Sequence, residues 1–337
     1  MFKRYSPERS YIIAEIGGNF TTYAEAVRLV EAAADCGVDA VKLQTYRAET
    51  VASKKAMFDM ENTGKVSQFD LFKKYAIDRE LHRKVFDYAQ KKGLDWFSSP
   101  SHQSDVDMLE ELGVGVHKIG SDDAVNLPFL RYVARLGKPI ILSTGMCTLG
   151  EVRESVAAIL EHNDKLILLH AITSYPTHAP NVNLRSMETL MQAFPQLDIG
   201  YSDHTMSPVA CLSAAAMGAR VLERHFTYDK KADGPDHMLS ADPQEMKWLV
   251  DAVREFEVMR GDGVKRPADS EQNTRINNRK SIVLARDVAA GETLSAEHIE
   301  IKRPGYGIAP KHFDEMIGRK LTVDMEQDSV LTWDKLV

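Results

Sequence analysis

A short apolar run, a polar residue at its end and an amphipathic helical segment recur through the first 260 residues, and this repeat limits the possible folds most strongly. The apolar runs begin near residues 11, 40, 95, 116, 139, 166, 197 and 220. Strands that alternate with helices at this spacing form parallel βαβ units. Eight such units in about 250 residues match the size of a closed barrel. The sequence therefore predicts an α/β protein with a (β/α)8 TIM barrel.

Two stretches depart from the repeat. Residues 47–78 are polar without a clear period, and we predict a long loop there that is either functional or mobile. Residues 261–278 are charged and polar, as is typical of a linker. Short β-rich runs follow at 281–285, 299–302, 321–323 and 330–333. We therefore predict a barrel domain over residues 1–262, a linker over 263–278 and a small β-rich domain over 279–337.

Composition narrows the class of protein. The 337 residues are 44% hydrophobic and carry a net charge of −7, which argues against a nucleic-acid-binding protein because such proteins have basic surfaces. Cys36, Cys147 and Cys211 are widely separated and match neither a disulfide framework nor a zinc motif. We find no signal peptide pattern and no apolar stretch of the length that spans a membrane. We expect a cytoplasmic protein without a membrane partner.

Two histidines end neighbouring apolar runs. His204 follows the run Leu197–Tyr201, and His225 follows Arg220–Leu222. Because the carboxyl ends of parallel strands meet at one end of a barrel, these imidazoles are expected side by side. Two neutral imidazoles could ligate one divalent metal ion. Two buried, hydrogen-bonded histidines would give the same pattern, and spacing alone does not decide between these interpretations.

Cations and hydroxyl groups also occur at strand ends. Lys42 and Lys118 lie inside apolar runs, where a solvated position is not expected. Three serines occupy equivalent places at successive strand ends: Ser99, Ser121 and Ser143. Ammonium, hydroxyl and backbone N–H groups together suit a phosphate, although serine is also common in turns. The candidate carboxylates, which could pair with the cations or orient a histidine, are Glu15, Asp123, Asp203, Glu223 and Asp236.

Eight sequence motifs resemble those of the sialic acid synthases. They are IIAEIG at 12–17, KLQT at 42–45, KIGS at 118–121, GKPIILSTGM at 137–146, YPT at 175–177, SDHT at 202–205, ERHFT at 223–227 and KRPGYG at 302–307. The resemblance covers nearly the whole chain in the same order. It implies a TIM barrel followed by an antifreeze-like (SAF) domain.

The resemblance also implies an activity. Members of this family are transferases that condense phosphoenolpyruvate with the open-chain aldehyde of an N-acyl hexosamine, with C–O cleavage, to give a nine-carbon 2-keto sugar acid and phosphate. A divalent metal, Mn²⁺ or Mg²⁺, is the usual cofactor. The family pattern assigns His204 and His225 to the metal and places Glu15 near the reacting enol. It assigns substrate binding to Lys42, Gln44, Ser99, Lys118, Ser121, Asp123, Ser143, Tyr175, Asp236 and Arg303. Arg303 would reach the N-acyl group from a partner subunit, which implies a domain-swapped homodimer.

Three positions depart from the family pattern and lie on the side expected to hold the acceptor sugar: Phe20, Ser101 and Asp122. The acceptor sugar, and whether it carries a 6-phosphate, therefore stay open. Two other functions also stay open. One is a barrel that binds a sugar acid without catalysis, and the other is a phosphoenolpyruvate-dependent aldol synthase that uses a different aldehyde.

Overall fold

The structure is a computed structural model that describes residues 2–6, 8–61 and 63–337. The chain divides into two compact units, Met1–Arg260 and Gly261–Val337. The strands of the described residues are, in chain order, β1 (Tyr11–Glu15), β2 (Ala40–Thr45), β3 (Met57–Met60), β4 (Gly64–Ser67), β5 (Asp95–Pro100), β6 (His117–Ile119), β7 (Ile140–Ser143), β8 (Leu166–Ala171), β9 (Asp198–Asp203), β10 (Val221–His225), β11 (Ser281–Leu284) and β12 (Ile299–Lys302).

Helices alternate with these strands. They are α1 (Tyr23–Cys36), α2 (Ala48–Val51), α3 (Gln68–Tyr75), α4 (Arg79–Lys91), α5 (Gln103–Leu112), α6 (Leu127–Ala134), α7 (Leu149–Leu160), α8 (Arg185–Ala193), α9 (Val209–Ala216), α10 (Pro243–Met259), α11 (Gln272–Asn278) and α12 (Phe313–Met316). In the part of the chain that the structure describes, no helix has both the length and the apolar character needed to cross a bilayer.

The first unit is built on one parallel sheet of eight strands. Its hydrogen-bonded order is β5–β2–β1–β10–β9–β8–β7–β6. The two strands at the ends of this order, β5 and β6, lie next to each other and bring the sheet round into a nearly closed barrel. The predicted (β/α)8 architecture is confirmed, and all eight carboxyl strand ends face the same end of the barrel.

Local sequence signals set the helices that cover this sheet. Thr22 caps the start of helix α1: its side chain accepts from the backbone N–H of Glu25, and the Glu25 carboxylate accepts from the backbone N–H of Thr22. Such a cap contributes about 1 kcal/mol. Leu29 and Val30 lie on the buried face of α1, and the helix ends at Gly37, whose φ of 83° is left-handed. A second set of apolar side chains, including Ile13, fills the barrel interior.

The segment between β2 and α4 differs from the expectation. The prediction of an irregular loop over residues 47–78 was wrong, because this segment forms α2, the β3–β4 hairpin and α3. The hairpin is exposed or half-buried along both strands, so its sequence lacks the alternation that burial of one face would impose.

The second unit has its own small core, formed around Ile282, Leu284, Leu294 and Met316. Strands β11 and β12 pair antiparallel, as their runs predicted. The two later β-like runs form only isolated bridges, such as Leu321 with Leu336. Residues 261–280 are exposed throughout and include α11.

Candidate active site

The carboxyl ends of the barrel strands surround a cavity of about 440 Å³, a volume typical of sites for small molecules. The predicted site residues that line it are Lys42, Gln44, Ser99, Lys118, Ser121, Ser143, Tyr175, His204, His225 and Asp236. Residues from seven of the eight repeats therefore meet in one place, because parallel strands bring their polar side chains to the same end of the barrel.

Two lysines lie at the bottom of this cavity, and each is fixed by a serine of the next strand. Lys42 Nζ donates to Ser99 Oγ at 3.0 Å and pairs with the carboxylate of Glu15. Lys118 Nζ donates to Ser143 Oγ at 2.7 Å. The side chains of both lysines are at most 5% exposed. Two desolvated ammonium groups in one cavity form a strong site for an anion.

Glu223 lies between the two lysines. Its Oε1 is 3.8 Å from Nζ of Lys42 and 3.8 Å from Nζ of Lys118, and it accepts from Ser202 Oγ at 3.1 Å. Burial disfavours the charged carboxylate, but the two ammonium groups outweigh burial and lower the pKa of Glu223. Burial also lowers the pKa of Lys118 to about 8. At Lys42 burial acts the same way, but Glu15 and Glu223 outweigh it and raise its pKa.

Glu15 is held under the cavity by the turn that follows β1. Its Oε1 accepts from the backbone N–H of Gly17 at 2.5 Å and from Gln44 Nε2 at 3.5 Å. A Cβ at position 17 would lie 2.4 Å from Glu15 Oε1 and 2.7 Å from the Gln44 backbone nitrogen, so only glycine fits there. Burial, and to a smaller extent the charge of Glu223, raises the pKa of Glu15 despite its contact with Lys42.

The two histidines lie together on the next side of the cavity. The ring centroids of His204 and His225 are 5.4 Å apart, and the ring of Tyr175 lies 4.3 Å from that of His204. His204 Nδ1 is 2.8 Å from the carbonyl oxygen of Ile172, a contact that requires a proton on Nδ1 and leaves Nε2 with a free lone pair. Burial lowers the pKa of both rings, which keeps them neutral and able to act as ligands.

These residues fit a divalent metal as a partial ligand set. His225 Nδ1 makes no hydrogen bond to the described residues, and it lies 3.6 Å from Asp236 Oδ2. Among residues 2–6, 8–61 and 63–337, no group of three or more His, Cys, Asp or Glu side chains surrounds one metal position. A metal ion at the two imidazoles would therefore take its remaining ligands from substrate and water.

Asp236 extends the site toward the rim. Burial, with a contribution from the charge of Glu15, raises the pKa of Asp236 to about 7. Its backbone oxygen accepts from Ser240 Oγ at 2.7 Å, and Asn19 Nδ2 donates to the same hydroxyl at 3.0 Å. The loop after β10 is thus fixed to the turn after β1, which places a readily protonated carboxyl group beside His225.

An apolar wall, which sequence reasoning missed, completes the cavity. It comes from the segment between β2 and α4 and comprises Tyr46, Val51, Phe58, Met60, Leu71, Phe72 and Tyr75. The ring of Phe72 contacts those of Tyr46 and Phe58 at centroid distances of 4.9 and 5.6 Å. The four aromatic residues of this wall, Tyr46, Phe58, Phe72 and Tyr75, are the one sequence signal that could have indicated it.

Three predicted site residues are not among those that line the cavity: Glu15, which pairs with Lys42 beneath it, Asp123 and Arg303. Asp123 accepts from Asn126 Nδ2 at 2.8 Å near the start of α6, and its neighbour Asp122 lines the cavity instead. Arg303 lies exposed in the second unit. Ser121 does line the cavity, and its Oγ accepts from the backbone N–H of Gly145 at 3.0 Å.

Comparison with known proteins agrees with the motifs. The NeuB family matches residues 29–265, and the SAF domain matches residues 279–337. The chain is 39% identical over 332 residues to N,N'-diacetyllegionaminic acid synthase of Campylobacter jejuni, covering 96% of this chain and 99% of that protein. It is 33% identical over 325 residues to pseudaminic acid synthase of the same species, covering 95% and 94%.

A solved structure gives the same result. The N-acetylneuraminic acid (sialic acid) synthetase of Leptospira borgpetersenii superposes with a TM-score of 0.71 at 30% identity, over 80% of this chain and 91% of that one. The resemblance to sialic acid synthases and the SAF domain at the carboxyl end are both confirmed. The chain belongs to the NeuB family.

Proposed function

We propose that this chain condenses phosphoenolpyruvate with the open-chain aldehyde of an N-acyl hexosamine to give a nine-carbon 2-keto sugar acid and phosphate. One observation carries the proposal: two buried lysines and two neutral histidines line the same cavity. The lysines suit a small donor with two anionic groups, and the histidines suit the acceptor carbonyl beside it. Membership of the NeuB family, which includes sugar acid synthases, supports the proposal.

The lysines position the donor. Phosphoenolpyruvate carries a phosphate and a carboxylate, and Lys42 and Lys118 offer one ammonium group to each. Ser99 and Ser143 already accept hydrogen bonds from these ammonium groups, so little rearrangement is needed when the anion binds. Glu223 lies between the two lysines and offsets part of their positive charge before the donor binds. Prior positioning of this kind can contribute several kcal/mol to lowering the barrier.

His204 and His225 would hold the divalent metal, Mn²⁺ or Mg²⁺, that this proposal includes. Such an ion acts as a Lewis acid that polarises the aldehyde oxygen of the acceptor. The protein contributes the orientation of both rings, since the Ile172 carbonyl fixes the tautomer of His204. Asp236, 3.6 Å from His225, is placed to orient that ring or an acceptor hydroxyl.

The bonds change as follows. The enol carbon C3 of phosphoenolpyruvate attacks the aldehyde carbon, a C–C bond forms, and positive charge develops at C2. Water adds to C2, one of its protons reaches the new alkoxide and the other leaves with phosphate when the C2–O bond breaks. Glu15, whose pKa is raised by burial, is a suitable carrier for one of these protons next to the donor.

The cavity favours an acceptor without a phosphate. Among the described residues that line the cavity, Lys42 and Lys118 are the only cations, and both serve the donor. The rest of the lining combines the apolar wall with uncharged polar side chains, and its acidic residues are Asp122, Glu223 and Asp236. A 6-phosphate would meet negative charge and aromatic rings there, whereas N-acyl methyl groups would bury apolar area. We therefore include an uncharged acceptor in the proposal.

We also propose that the protein is a domain-swapped homodimer in which Arg303 of one copy serves the cavity of the other. The support is the family resemblance and the exposed position of Arg303 on a fixed loop. Gly305 N–H donates to the Ile276 carbonyl at 2.7 Å, and Gly307 N–H donates to Ser281 Oγ at 2.9 Å. A cytoplasmic location belongs to the same proposal, and the three cysteines are free thiols, as they would be there.

A phosphate-release assay tests the function. The purified protein is incubated with phosphoenolpyruvate and one acceptor at a time, in the presence and absence of Mn²⁺. The acceptors are N-acyl hexosamines, with and without a 6-phosphate, and aldoses that lack an amino group. We expect phosphate release that depends on an unphosphorylated acceptor and on the metal. Release with a non-amino aldehyde alone would indicate a different aldol synthase, and binding of a sugar acid without any release would indicate a non-catalytic protein.

A further inference from the structure

A buried ion pair lies directly behind the two histidines. Asp203 is the last residue of β9 and directly precedes His204, and Arg224 precedes His225 on β10. Asp203 and Arg224 are register partners on these adjacent strands. Asp203 is 1% exposed and Arg224 is 2% exposed. Because successive side chains of a strand point to opposite faces, the ion pair faces helix α9 while the histidines face the cavity. Cys211 of α9 contacts Asp203 from that side.

The ion pair connects both strand ends and the turn after β9. Arg224 Nη1 donates to the Asp203 carboxylate, and it also donates to the carbonyl oxygen of Ser207 at 3.1 Å. Asp203 Oδ1 accepts from the Thr205 backbone N–H at 2.9 Å and from the Tyr201 hydroxyl at 3.1 Å. The backbone on both sides of His204 is therefore tied to the residue before His225.

Stability alone is a poor explanation for this ion pair. Nε and Nη2 of Arg224 are buried and make no hydrogen bond to the residues that the structure describes. Burial of an ion pair costs a large desolvation free energy, and apolar replacement of such a pair is often neutral or stabilising. A pair with two guanidinium nitrogens left without a hydrogen-bond partner is an especially costly way to join two strands. Its position next to the histidines gives it another role.

We propose that Asp203 and Arg224 are positioning residues that set the separation and orientation of His204 and His225 for one divalent metal ion. The inference rests on the metal site in the proposed function, which it deepens. Neither residue touches the cavity. Both act through the backbone, since each is joined by one peptide bond to a histidine. Partners of this kind typically change metal affinity 10–100-fold.

The test is a Mn²⁺ titration followed by the electron paramagnetic resonance signal of the free ion, together with thermal unfolding. The main variant is the double substitution Asp203→Asn with Arg224→Met, which removes both charges and keeps an oxygen acceptor for Thr205. We expect the Mn²⁺ dissociation constant to rise at least about tenfold, with a thermal midpoint within a few degrees of wild type. Arg224→Lys keeps the charge but reaches less far, and it should give an intermediate dissociation constant.

A matched control is available at the opposite end of the barrel. Arg254 Nη2 lies 2.8 Å from Oδ2 of buried Asp39, which precedes β2. Arg254→Met should lower the thermal midpoint and leave Mn²⁺ affinity within about twofold, since this ion pair is remote from the histidines.

Unchanged Mn²⁺ affinity in the double variant would overturn the inference. If that variant does not fold, Arg224→Lys decides: a raised dissociation constant supports the inference, and wild-type affinity overturns it. His225→Ala separates the two proposals. If wild type binds Mn²⁺ no better than His225→Ala, the metal site itself fails and the inference fails with it. If His225→Ala loses Mn²⁺ binding while the Asp203 and Arg224 variants bind Mn²⁺ as tightly as wild type, the inference fails and the proposed function stands.

Discussion

The alkaline limit of donor use should follow the charge of Lys118. Burial lowers the pKa of Lys118 to about 8, while Glu223 opposes and Lys42 adds to this shift. The protonated lysine is the form that attracts an anion, so binding of phosphoenolpyruvate should weaken as pH rises through this value. Lys42, with its raised pKa, stays charged over the same range. One ionisation should therefore control the alkaline limb.

The expected size of the fall in kcat/KM follows from the pKa of Lys118. With a pKa of about 8, Lys118 is about 90% protonated at pH 7, half protonated at pH 8 and about 10% protonated at pH 9. If only the protonated enzyme takes up the donor, kcat/KM for phosphoenolpyruvate falls roughly tenfold between pH 7 and pH 9. In the complex the bound anion stabilises the ammonium form, so kcat should stay level to higher pH.

The assay is the pH dependence of kcat/KM and kcat from pH 6.5 to 9.5 at saturating acceptor. The variant Ser143→Ala tests whether Lys118 causes the decline, because Ser143 Oγ accepts a hydrogen bond from the charged Lys118 at 2.7 Å. Its loss should lower the pKa of Lys118 further and move the decline to lower pH. A flat kcat/KM profile to pH 9.5 in folded enzyme, or a decline that Ser143→Ala leaves in place, would refute this reasoning.

Three further outcomes are expected. His225→Ala should lower metal-dependent turnover at least about 100-fold with an unchanged circular dichroism spectrum, and full activity in chelator-treated buffer would contradict the ligand assignment. Phe72→Ala removes part of the apolar wall, so KM for the acceptor should rise roughly tenfold. KM for phosphoenolpyruvate should stay within about twofold. Equal rises in both KM values would show a general loss of structure. Mixing the inactive variants His225→Ala and Arg303→Ala should restore about a quarter of wild-type activity if subunits exchange and share sites, and no recovery from confirmed mixed dimers would refute the shared site.

The barrel was predictable because burial on both faces leaves a clear record in the sequence. Each strand reads as a short apolar run, and its last residues, such as Lys42 and His225, are polar only because they face the open end. The segment around the β3–β4 hairpin was not predictable in this way. Its strands are only exposed or half-buried, so neither alternation nor helical spacing marks them in the sequence.

The site was predictable at the level of strand ends but not of individual contacts. Adjacency along parallel strands brought His204 and His225 together, as expected from spacing. Sequence could not tell which of Asp122 and Asp123 faces the cavity, because the turn after β6 decides it. It also could not show that Glu223 bridges two lysines, since that depends on side-chain conformations across three strands.

The most direct test of the central claim uses phosphoenolpyruvate labelled with ¹⁸O at the bridging oxygen, together with an unphosphorylated N-acyl hexosamine and Mn²⁺. Mass spectrometry then reads both products of one reaction. The proposed chemistry predicts a sugar acid three carbons longer than the acceptor and phosphate that carries the label. Unlabelled phosphate, or phosphate released without a three-carbon adduct, would contradict it.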